Sequence, residues 1–598
     1  MLKVIKYRFI KPHLRLFLLI GLVMNISLIM EAFGIAMIFP LFTNLLGGDG
    51  IGEKLWLVGS FARYFRLSGG NLTVAIAIVI AIAFVLRTLF QLAAIWFREK
   101  TNRKVQNNIR SDVLGQFFTR EYQFHIQNKK GKLFSDLYQK SADVGTFMNL
   151  SFNFVSSVIQ ILFMAIVLLW MSYKIFLVWG FFVVLLGFIS KKMARMSYQI
   201  GQILVIAKEK MMSVPVEALQ GIRELLLLNS TKLFLKSFNV YQKETTSYGL
   251  RVALLSNVSK PVAELFIVLI LCFVIIFAKH FSFEFGVGNI SIMLTSLILI
   301  QRISQAMASI NSNYMGMMAA LPSFDALEAL YLEHEKSLIE RTSEGKINIR
   351  AFNNKIQFED VTFSYKKDSI VLDKLNLTFK RGEKSAIVGA SGCGKSTTVD
   401  LITGLIVPPK GSITVDGIDL TTVNIQDWRQ RIGFVSQDIF IFHDTVENNI
   451  LFGRLDATMD EVIRAAKLAN AHDFVTKLEK GYKTDIGEKG LRLSAGQRQR
   501  IGIARALIRN PEILIFDEAT SALDTVSEKQ VQEAIDKVSE FTTVISIAHR
   551  LSTIKNYDKI YVMEHGKVLE EGSHEELVSL NGAYSKLSSL QHTEVLTE

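Results

Sequence analysis

The chain has 598 residues and a formal net charge of +12; half of its residues are hydrophobic, a fifth are charged, and the mean hydropathy is +0.30. This balance excludes a disordered chain, and it is too apolar for an ordinary soluble enzyme of this size. Two cysteines exclude a small secreted domain built on disulfides. The basic balance alone leaves nucleic acid, anionic lipid and acidic substrates open as partners.

The charge is distributed unevenly along the chain. Residues 1–324 contain 33 Lys and Arg against 14 Asp and Glu, a net charge of +19, whereas residues 325–598 contain 34 against 41, a net charge of −7. The first part holds long apolar runs, and the second alternates short apolar strands with helical segments. The sequence therefore predicts a membrane all-α domain over 1–324, a linker over 325–350 and a soluble α/β domain over 351–598.

A helix that crosses a bilayer needs about 20 apolar residues. Six segments are long and apolar enough: about 16–46, 72–97, 150–172, 175–194, 261–279 and 288–310. The first is too long for a signal peptide and lacks a cleavage site, so we expect it to be retained. Of the 33 basic residues, 26 lie at the N-terminus, in 98–149 and in 195–260, or at Lys191 and Lys192. The positive-inside rule then predicts that these segments and both termini are cytoplasmic, with helices extending beyond the membrane.

A phosphate-binding loop is predicted at 389–396. The segment reads Gly-Ala-Ser-Gly-Cys-Gly-Lys-Ser, which matches G-x-x-x-x-G-K-[ST], and it stands between a strand-like run and a helical segment. Glycines let backbone N–H groups surround phosphates, and a helix N-terminus adds positive potential. We expect Lys395 to reach the β- and γ-phosphates and Ser396 to bind Mg²⁺. The predicted ATP-binding residues here are Gly389, Ala390, Ser391, Gly392, Cys393, Gly394, Lys395, Ser396 and Thr397.

Two adjacent carboxylates end a buried-strand run further along the chain. Residues 513–518 read Ile-Leu-Ile-Phe-Asp-Glu. At this distance after a phosphate loop, we expect Asp517 to hold Mg²⁺ through water. Glu518 is placed to polarise an attacking water as a general base.

Residues 493–497 read Leu-Ser-Ala-Gly-Gln, and they resemble the signature sequence of ABC-transporter ATPases. With the six spans and the order of the motifs, the whole chain resembles an ABC exporter half-transporter. The resemblance implies transport driven by ATP hydrolysis, and Ala495 departs from it, because the family usually has glycine there. It adds further ATP-site residues: Tyr365 stacking on adenine, Gln437 touching Mg²⁺, the signature residues Ser494, Ala495, Gly496 and Gln497, Asp524 at the dimer interface, and His549 on the γ-phosphate.

The resemblance also implies a dimer. In this family the nucleotide lies between the phosphate loop of one ATPase domain and the signature of another, and this chain has one of each. Because Glu518 and His549 are both present, a homodimer with two competent sites is favoured over an asymmetric pair.

Ionisable residues within the predicted spans bear on the substrate. Arg87 and Arg302 lie in spans and Lys260 lies at a membrane boundary. Such groups are expensive in lipid and normally face a cavity or a partner. One interpretation is a cavity that attracts an anionic head group; the alternative is internal pairing of the arginines with Glu31 or Glu264.

The outer segment 51–67 is predicted to form a short amphipathic helix at the outer leaflet, the alternative being a folded loop. The combination of such an external helix with basic residues in the spans resembles the lipid-linked oligosaccharide flippases of bacterial glycosylation. Their substrate is a polyprenyl pyrophosphate glycan. The resemblance implies such a flippase in a bacterial inner membrane. Export of a peptide, drug or other lipid, and a membrane-tethered ATPase that moves nothing, remain alternatives. The acidic soluble part disfavours nucleic acid.

Overall fold

The structure, a computed structural model, describes residues 14–45, 70–171, 173–258, 260–262, 264–265, 268–269, 272, 287–342, 347–366, 369–518, 524–548 and 550–595. The chain divides into two compact units. One comprises Met1–Arg120 and Phe124–Lys336, and the other comprises Glu121–Gln123 and Ser337–Glu598.

Helices make up the described structure between residues 14 and 342. They are α1 (Leu14–Ala36), α2 (Ile38–Leu45), α3 (Gly70–Thr119), α4 (Tyr122–Gln127), α5 (Lys130–Phe134), a π-helical turn (Ser135–Lys140), α6 (Ser141–Met171), α7 (Tyr173–Gln220), α8 (Ile222–Leu227), α9 (Thr231–Asn257) and α10 (Val287–Thr342).

Three helical stretches among the described residues are long and apolar enough to cross a membrane: Arg15–Leu45, Asn71–Thr119 and Lys130–Met171. They contain most or all of the first three predicted spans. The predicted spans 175–194 and 288–310 lie within α7 and α10, and most of 261–279 lies outside the described residues. The 50 residues of α3 extend about 75 Å at 1.5 Å per residue, far more than the roughly 30 Å hydrocarbon core.

Helix α10 continues through residues 325–342, which the sequence assigns to a linker. No proline or glycine follows Pro322 in this helix, and the segment is rich in Ala, Leu and Glu, which are good helix formers. The change of composition near residue 324 therefore does not coincide with an end of helical structure.

The second unit contains the described strands. They are β1 (Lys355–Lys366), β2 (Ser369–Lys380), β3 (Lys384–Gly389), β4 (Lys410–Val415), β5 (Ile418–Asp419), β6 (Ile432–Val435), β7 (Ile513–Asp517), β8 (Thr543–Ile547), β9 (Lys559–Glu564) and β10 (Lys567–Gly572). Its α-helices are α11 (Lys395–Ile402), α12 (Ile425–Gln430), α13 (Val446–Leu451), α14 (Met459–Leu468), α15 (His472–Thr476), α16 (Ala495–Leu507), α17 (Thr525–Ser539), α18 (His574–Ser579) and α19 (Ala583–Val595).

The strands form two sheets, of order β2-β1-β4-β5 and β10-β9-β3-β8-β7-β6. In the larger sheet β9, β3, β8, β7 and β6 are parallel, and β10 is antiparallel to β9. Successive side chains of a strand point to opposite faces. Leu514 and Phe516 of β7 accordingly join one hydrophobic cluster, whereas Ile513 and Ile515 join the other. A sheet buried on both faces explains the uninterrupted apolar sequence of β7.

Candidate nucleotide-binding site

The predicted nucleotide residues meet at one edge of the six-stranded sheet. Strands β3, β8, β7 and β6 are neighbours in that order and are parallel. Gly389 ends β3, Asp517 ends β7, and Gln437 follows β6 by two residues. Ligands of open parallel sheets bind outside the carboxyl ends of the strands, so this edge is the candidate site.

The loop between β3 and α11 has backbone conformations that require glycine. Gly394, the residue before α11, has a φ of 107°, and Gly389 has a φ of 152°. A Cβ on Gly389 would lie 2.1 Å from the carbonyl oxygen of Met563 on β9. The loop leads into the N-terminus of α11, where unpaired N–H groups and the helix dipole favour an anion.

The Lys395 ammonium folds back over this loop. Its Nζ donates to the carbonyl oxygens of Gly389 at 2.8 Å and Ala390 at 3.1 Å, and the residue is 6% exposed. A phosphate oxygen is a charged acceptor and forms a stronger hydrogen bond with an ammonium than a neutral carbonyl does. Lys395 is therefore held at the loop by contacts that a phosphate can replace.

The other end of α11 is held by side chains of α12. Trp428 Nε1 donates to the carbonyl oxygen of Ile402 at 2.7 Å, and Arg429 donates to the carbonyl oxygens of Thr403 and Gly404. These bonds satisfy carbonyl groups that a helix C-terminus leaves without an intrahelical partner. They fix the helix that carries the phosphate loop.

Asp517 and Glu518 stand at the carboxyl end of β7. Gln437 Nε2 donates to Glu518 Oε2 at 2.6 Å, and Glu518 has a φ of 48°, in the left-handed region. Burial first, and then the negative charge of Glu518, raise the pKa of Asp517, an effect that Lys395 partly offsets. The loop glutamine and the predicted general base are thus in direct contact, which the order of the motifs does not predict.

Tyr365 lies on β1 and faces α11. Its hydroxyl oxygen is 3.3 Å from Thr397 Oγ1, and its ring packs edge-on against Phe363. Near it on α11 lies Asp400, which the sequence analysis missed. Burial first, and then the charge of Asp517, raise the pKa of Asp400 to about 6. The available signal was its position four residues after Ser396, one helical turn along the same face.

Asp400→Asn is expected to stabilise the nucleotide-binding unit at pH 8. The folded-state pKa is raised above the ordinary 3.8, so the penalty of the charged carboxylate is present above about pH 6 and disappears as the pH falls toward 4. Allowing for partial exposure, we expect a gain in stability of about 1 kcal/mol at pH 8 and about half of that gain at pH 5. Thermal unfolding of the full chain in detergent at both pH values measures this, with exposed Glu479→Gln as the control. An equal gain at both pH values contradicts the assignment.

The signature segment begins helix α16. Ser494 caps the helix: its Oγ accepts from the N–H of Gln497 at 3.2 Å, and Gln497 Oε1 accepts from the N–H of Ser494 at 3.0 Å. Ser494 and Ala495 are exposed, whereas Gly496 is buried. Among the described residues, no hydrogen bond joins this segment to the phosphate loop.

Three other predicted positions have simpler surroundings. Asp524 caps α17, accepting from the N–H of Ser527 at 3.1 Å; a hydrogen bond with the Ser527 side chain first, and then this backbone bond, lower the pKa of Asp524. Cys393 is buried in the loop, and burial raises the pKa of its thiol, which suits a small packing side chain. His549 lies outside the described residues, as does the segment 51–67.

Arg505 was also missed by the sequence analysis. It lies near the end of α16 and donates to the carbonyl oxygens of Asn449 at 2.8 Å and Phe440 at 2.7 Å. Burial lowers its pKa to about 10. On the same helix a Cβ on Gly502 would lie 2.2 Å from Ile439 Cδ1. Helix α16, which begins with the signature segment, is therefore packed tightly against the residues that follow Gln437. No local motif predicts this long-range contact.

The chemistry of the oxygen donors suits Mg²⁺ bound together with a nucleotide. Ser396, Gln437 and Asp517 offer a hydroxyl, an amide and a carboxylate oxygen, the hard ligands that Mg²⁺ prefers. No group of three or more His, Cys, Asp and Glu that would hold a metal ion occurs within the part of the chain that the structure describes. The usual Mg²⁺ site instead combines one or two carboxylates with water and substrate phosphates.

In the helical unit, Arg87 and Arg302 converge on Glu31. Arg87 Nε lies 3.1 Å from Glu31 Oε2, and Arg302 Nη1 lies 3.6 Å from Glu31 Oε1. Of the two sequence interpretations, the pairing with Glu31 is observed, and Glu264 forms no ion pair with either arginine among the described residues. Two arginines and one carboxylate leave one positive charge. Lys260 is exposed on a helical segment.

Comparison with known proteins agrees with a helical membrane part followed by a nucleotide-binding part. Residues 18–307 match the ABC transporter transmembrane region, and residues 372–521 match the ABC transporter family. An ATP-dependent lipid A-core flippase of Pasteurella multocida is 35% identical over 78% of this chain and 80% of its own length. The chain belongs to the ABC transporters. The exporter half-transporter architecture and the fold class expected from the sequence are thereby confirmed.

Two further relatives extend the comparison of this ABC transporter. The heterocyst differentiation ATP-binding protein HepA of a Nostoc species is 37% identical over 68% of this chain, and the match spans 65% of the Nostoc protein. The structure of a bacterial Atm1-family ABC exporter with ATP bound superposes with a TM-score of 0.79 at 24% identity, covering 98% of this chain and all of the exporter, which establishes a shared fold. The enzymatic activity of the ABC transporter is ATP hydrolysis coupled to transport.

Proposed function

We propose that this ABC transporter is a homodimeric flippase that moves a lipid-linked oligosaccharide, or a similar anionic lipid, from the cytoplasmic leaflet outward. The observation that carries the proposal is the surplus positive charge left where Arg87 and Arg302 meet Glu31 within the helical unit. Charges inside a membrane are unfavourable and mark substrate pathways, and a surplus cation suits an anionic head group. The relative from Pasteurella multocida is named as a lipid A-core flippase, which supports a lipid as the cargo.

Of the three basic residues that the sequence assigns to a substrate cavity, Arg87, Lys260 and Arg302, we propose that Lys260 and Arg302 face the substrate, because Arg87 pairs with Glu31 at 3.1 Å. An arginine guanidinium presents five donors in a planar fork that matches phosphate oxygens, whereas a lysine acts as a point charge. Lys260 and Arg302 together suit a diphosphate better than a peptide or a neutral drug.

In the nucleotide site, Lys395 and the backbone of 389–394 bind the phosphates. Glu518 accepts the proton of the attacking water, and Gln437, which bonds to Glu518 in the structure, orients this carboxylate. Tyr365 stacks on adenine, and His549 contacts the γ-phosphate. Ser396, Gln437 and Asp517 would hold Mg²⁺, which neutralises charge on the phosphates.

The dimer rests on the resemblance, in which the nucleotide lies between the phosphate loop of one chain and the signature of another. In the cap, Ser494 Oγ and Gln497 Oε1 are acceptors, so these bonds do not use the Ser494 O–H or the Gln497 amide N–H groups, which can donate to a nucleotide on a second chain. Asp524 lies at the same interface. Each dimer thus has two composite sites, and closing them around ATP moves the membrane helices.

Co-expression with Glu518→Gln chains tests the homodimer. If both sites are needed, equal amounts of the two chains leave about a quarter of the ATPase activity, the fraction of all-wild-type dimers, rather than about a half. Purification through a tag on the variant separates mixed dimers for direct assay. Mixed dimers that hydrolyse ATP at half the wild-type rate contradict two coupled sites.

The orientation follows from charge. Basic residues are concentrated in 98–149 and 195–260 and at the N-terminus, which we assign to the cytoplasm together with the ATPase domain. The membrane domain comprises residues 1–324 and the nucleotide-binding domain 351–598. The membrane is a bacterial inner membrane.

Substrate-stimulated ATP hydrolysis tests the proposed cargo. A lipid-linked oligosaccharide is expected to stimulate the reconstituted transporter, and Arg87→Ala with Arg302→Ala is expected to weaken this stimulation. Stimulation by peptides or neutral drugs alone, or an unchanged response of the double variant, contradicts an anionic lipid as the cargo.

A further inference from the structure

The two arginines of the helical unit differ in their surroundings. Arg87 Nε is 3.1 Å from Glu31 Oε2 and Arg302 Nη1 is 3.6 Å from Glu31 Oε1; both contacts are ion pairs without hydrogen-bond geometry, and that of Arg87 is the closer. The Arg87 side chain is 21% exposed and the Arg302 side chain is 35% exposed. Glu31 itself is almost completely buried, with 1% of its surface exposed. The close and more buried ion pair is therefore Glu31 with Arg87.

Further contacts tie Arg87 and Glu31 to the packing of α1 against α3. Ser27, one turn before Glu31, donates to the backbone carbonyl oxygen of Arg87 at 3.1 Å. A Cβ on Gly34 of α1 would lie 2.8 Å from the ring of Phe84 on α3, so the two helices are in close approach at this level. The Glu31–Arg87 pair thus lies inside a tight interface between two predicted spans.

Gln160 of α6 forms a hydrogen bond with one carboxylate oxygen of Glu31. Its Nε2 donates to Glu31 Oε2 at 3.4 Å, the same oxygen that Arg87 contacts. The other oxygen, Glu31 Oε1, is buried and has no hydrogen-bond partner among the described residues. Its charged neighbour there is Arg302, at 3.6 Å. Arg302 is therefore attracted to this point without being bound by a hydrogen bond.

We propose that Arg302 is the residue that selects an anionic head group, and that Arg87 and Glu31 form a neutral internal pair that holds α1 against α3. The inference rests on the proposed function, and it divides roles that the sequence assigns to both arginines alike. Once the charges of Arg87 and Glu31 cancel, the surplus positive charge belongs to Arg302. Its guanidinium has five N–H donors and a third of the side chain is accessible, so phosphate oxygens can bind it without breaking the pair.

The test compares Arg302→Gln with the charge-neutral double variant Glu31→Gln, Arg87→Gln in the full-length transporter reconstituted in liposomes. The probes are a long-chain polyprenyl diphosphate, the polyprenol of the same length and inorganic pyrophosphate, and the readout is the concentration that half-maximally stimulates ATP hydrolysis. Lys192→Gln, which removes an exposed positive charge from α7, is the matched control.

Wild type is expected to respond to the polyprenyl diphosphate more strongly than to the polyprenol or to pyrophosphate. Arg302→Gln raises the half-stimulating concentration of the diphosphate at least about tenfold, the effect of one charged hydrogen bond. The double variant and Lys192→Gln stay within about threefold of wild type. A double variant that loses the response as fully as Arg302→Gln, or an Arg302→Gln chain that keeps it, overturns the inference.

Thermal unfolding in the same preparations tests the internal pair without any lipid. Arg87→Gln alone is expected to lower the midpoint by about 5 °C or more, because it leaves a buried carboxylate without its close partner, and adding Glu31→Gln restores most of this loss. A double variant no more stable than Arg87→Gln contradicts the pair. If wild type itself does not distinguish the diphosphate from the polyprenol, the anionic cargo of the proposed function fails, and the role of Arg302 fails with it.

Discussion

Glu518→Gln is expected to bind ATP with near wild-type affinity and to lose at least about 100-fold of its steady-state ATP hydrolysis. The amide has the same shape as the carboxylate, and its oxygen can still accept the hydrogen bond that Gln437 donates at 2.6 Å. It cannot accept a proton from the attacking water. The substitution therefore keeps the position of the side chain at the end of β7 and removes only its ability to accept a proton.

Phosphate release from the reconstituted transporter measures the turnover, and a fluorescent ATP analogue measures the binding. Glu479→Gln removes an exposed carboxylate elsewhere in the same unit and is the matched control. Near-normal hydrolysis by Glu518→Gln would refute its role as the base. Loss of ATP binding would instead indicate that the residue shapes the site.

Lys395→Ala is expected to lower the affinity for ATP by about tenfold to 100-fold and to abolish hydrolysis. The variant removes the ammonium that reaches the phosphates, and it also removes the two hydrogen bonds from Lys395 to the carbonyl oxygens of Gly389 and Ala390 in the phosphate loop. Both losses weaken the binding of ATP before any reaction, and they also slow its hydrolysis. This predicted pattern differs from that of Glu518→Gln, because binding is lost together with turnover.

Titration with the fluorescent analogue distinguishes the two variants. Lys384→Gln is a suitable control, because Lys384 begins the strand that the phosphate loop follows and pairs with Asp536 at 3.3 Å, at the opposite end of β3. An Lys395→Ala chain with wild-type affinity for ATP contradicts the assignment of the phosphate site.

The nucleotide site was predictable because each of its motifs is local. Residues 384–402 encode a strand, a glycine turn and a helix N-terminus. An apolar run that ends in two carboxylates predicts β7. Parallel strand order then brings these ends to one edge. The three-dimensional contacts between motifs were not predictable in this way. The bond of Gln437 to Glu518 and the anchoring by Arg505 join residues far apart in sequence.

The membrane half shows a different limit. Apolar length predicted the first three spans, but hydropathy carries no information about which charged side chains meet. Glu31 and Arg302 are separated by 271 positions, and the sequence left pairing and a substrate cavity equally open. Helix α10 continues through 325–342, which the sequence assigns to a linker, because the residues after the apolar run are still good helix formers.

The flipping of a fluorescent lipid-linked oligosaccharide in proteoliposomes is the direct test of ATP-driven movement of an anionic lipid. The transporter is inserted with its ATPase domain outside, ATP is added, and a membrane-impermeant quencher reports the lipid remaining in the outer leaflet. Wild type is expected to protect a further share of the lipid when ATP is added, and Glu518→Gln is expected to leave the quenched fraction at its level without ATP. Equal quenching of wild type and Glu518→Gln, with ATP hydrolysis intact in the wild type, would contradict the account.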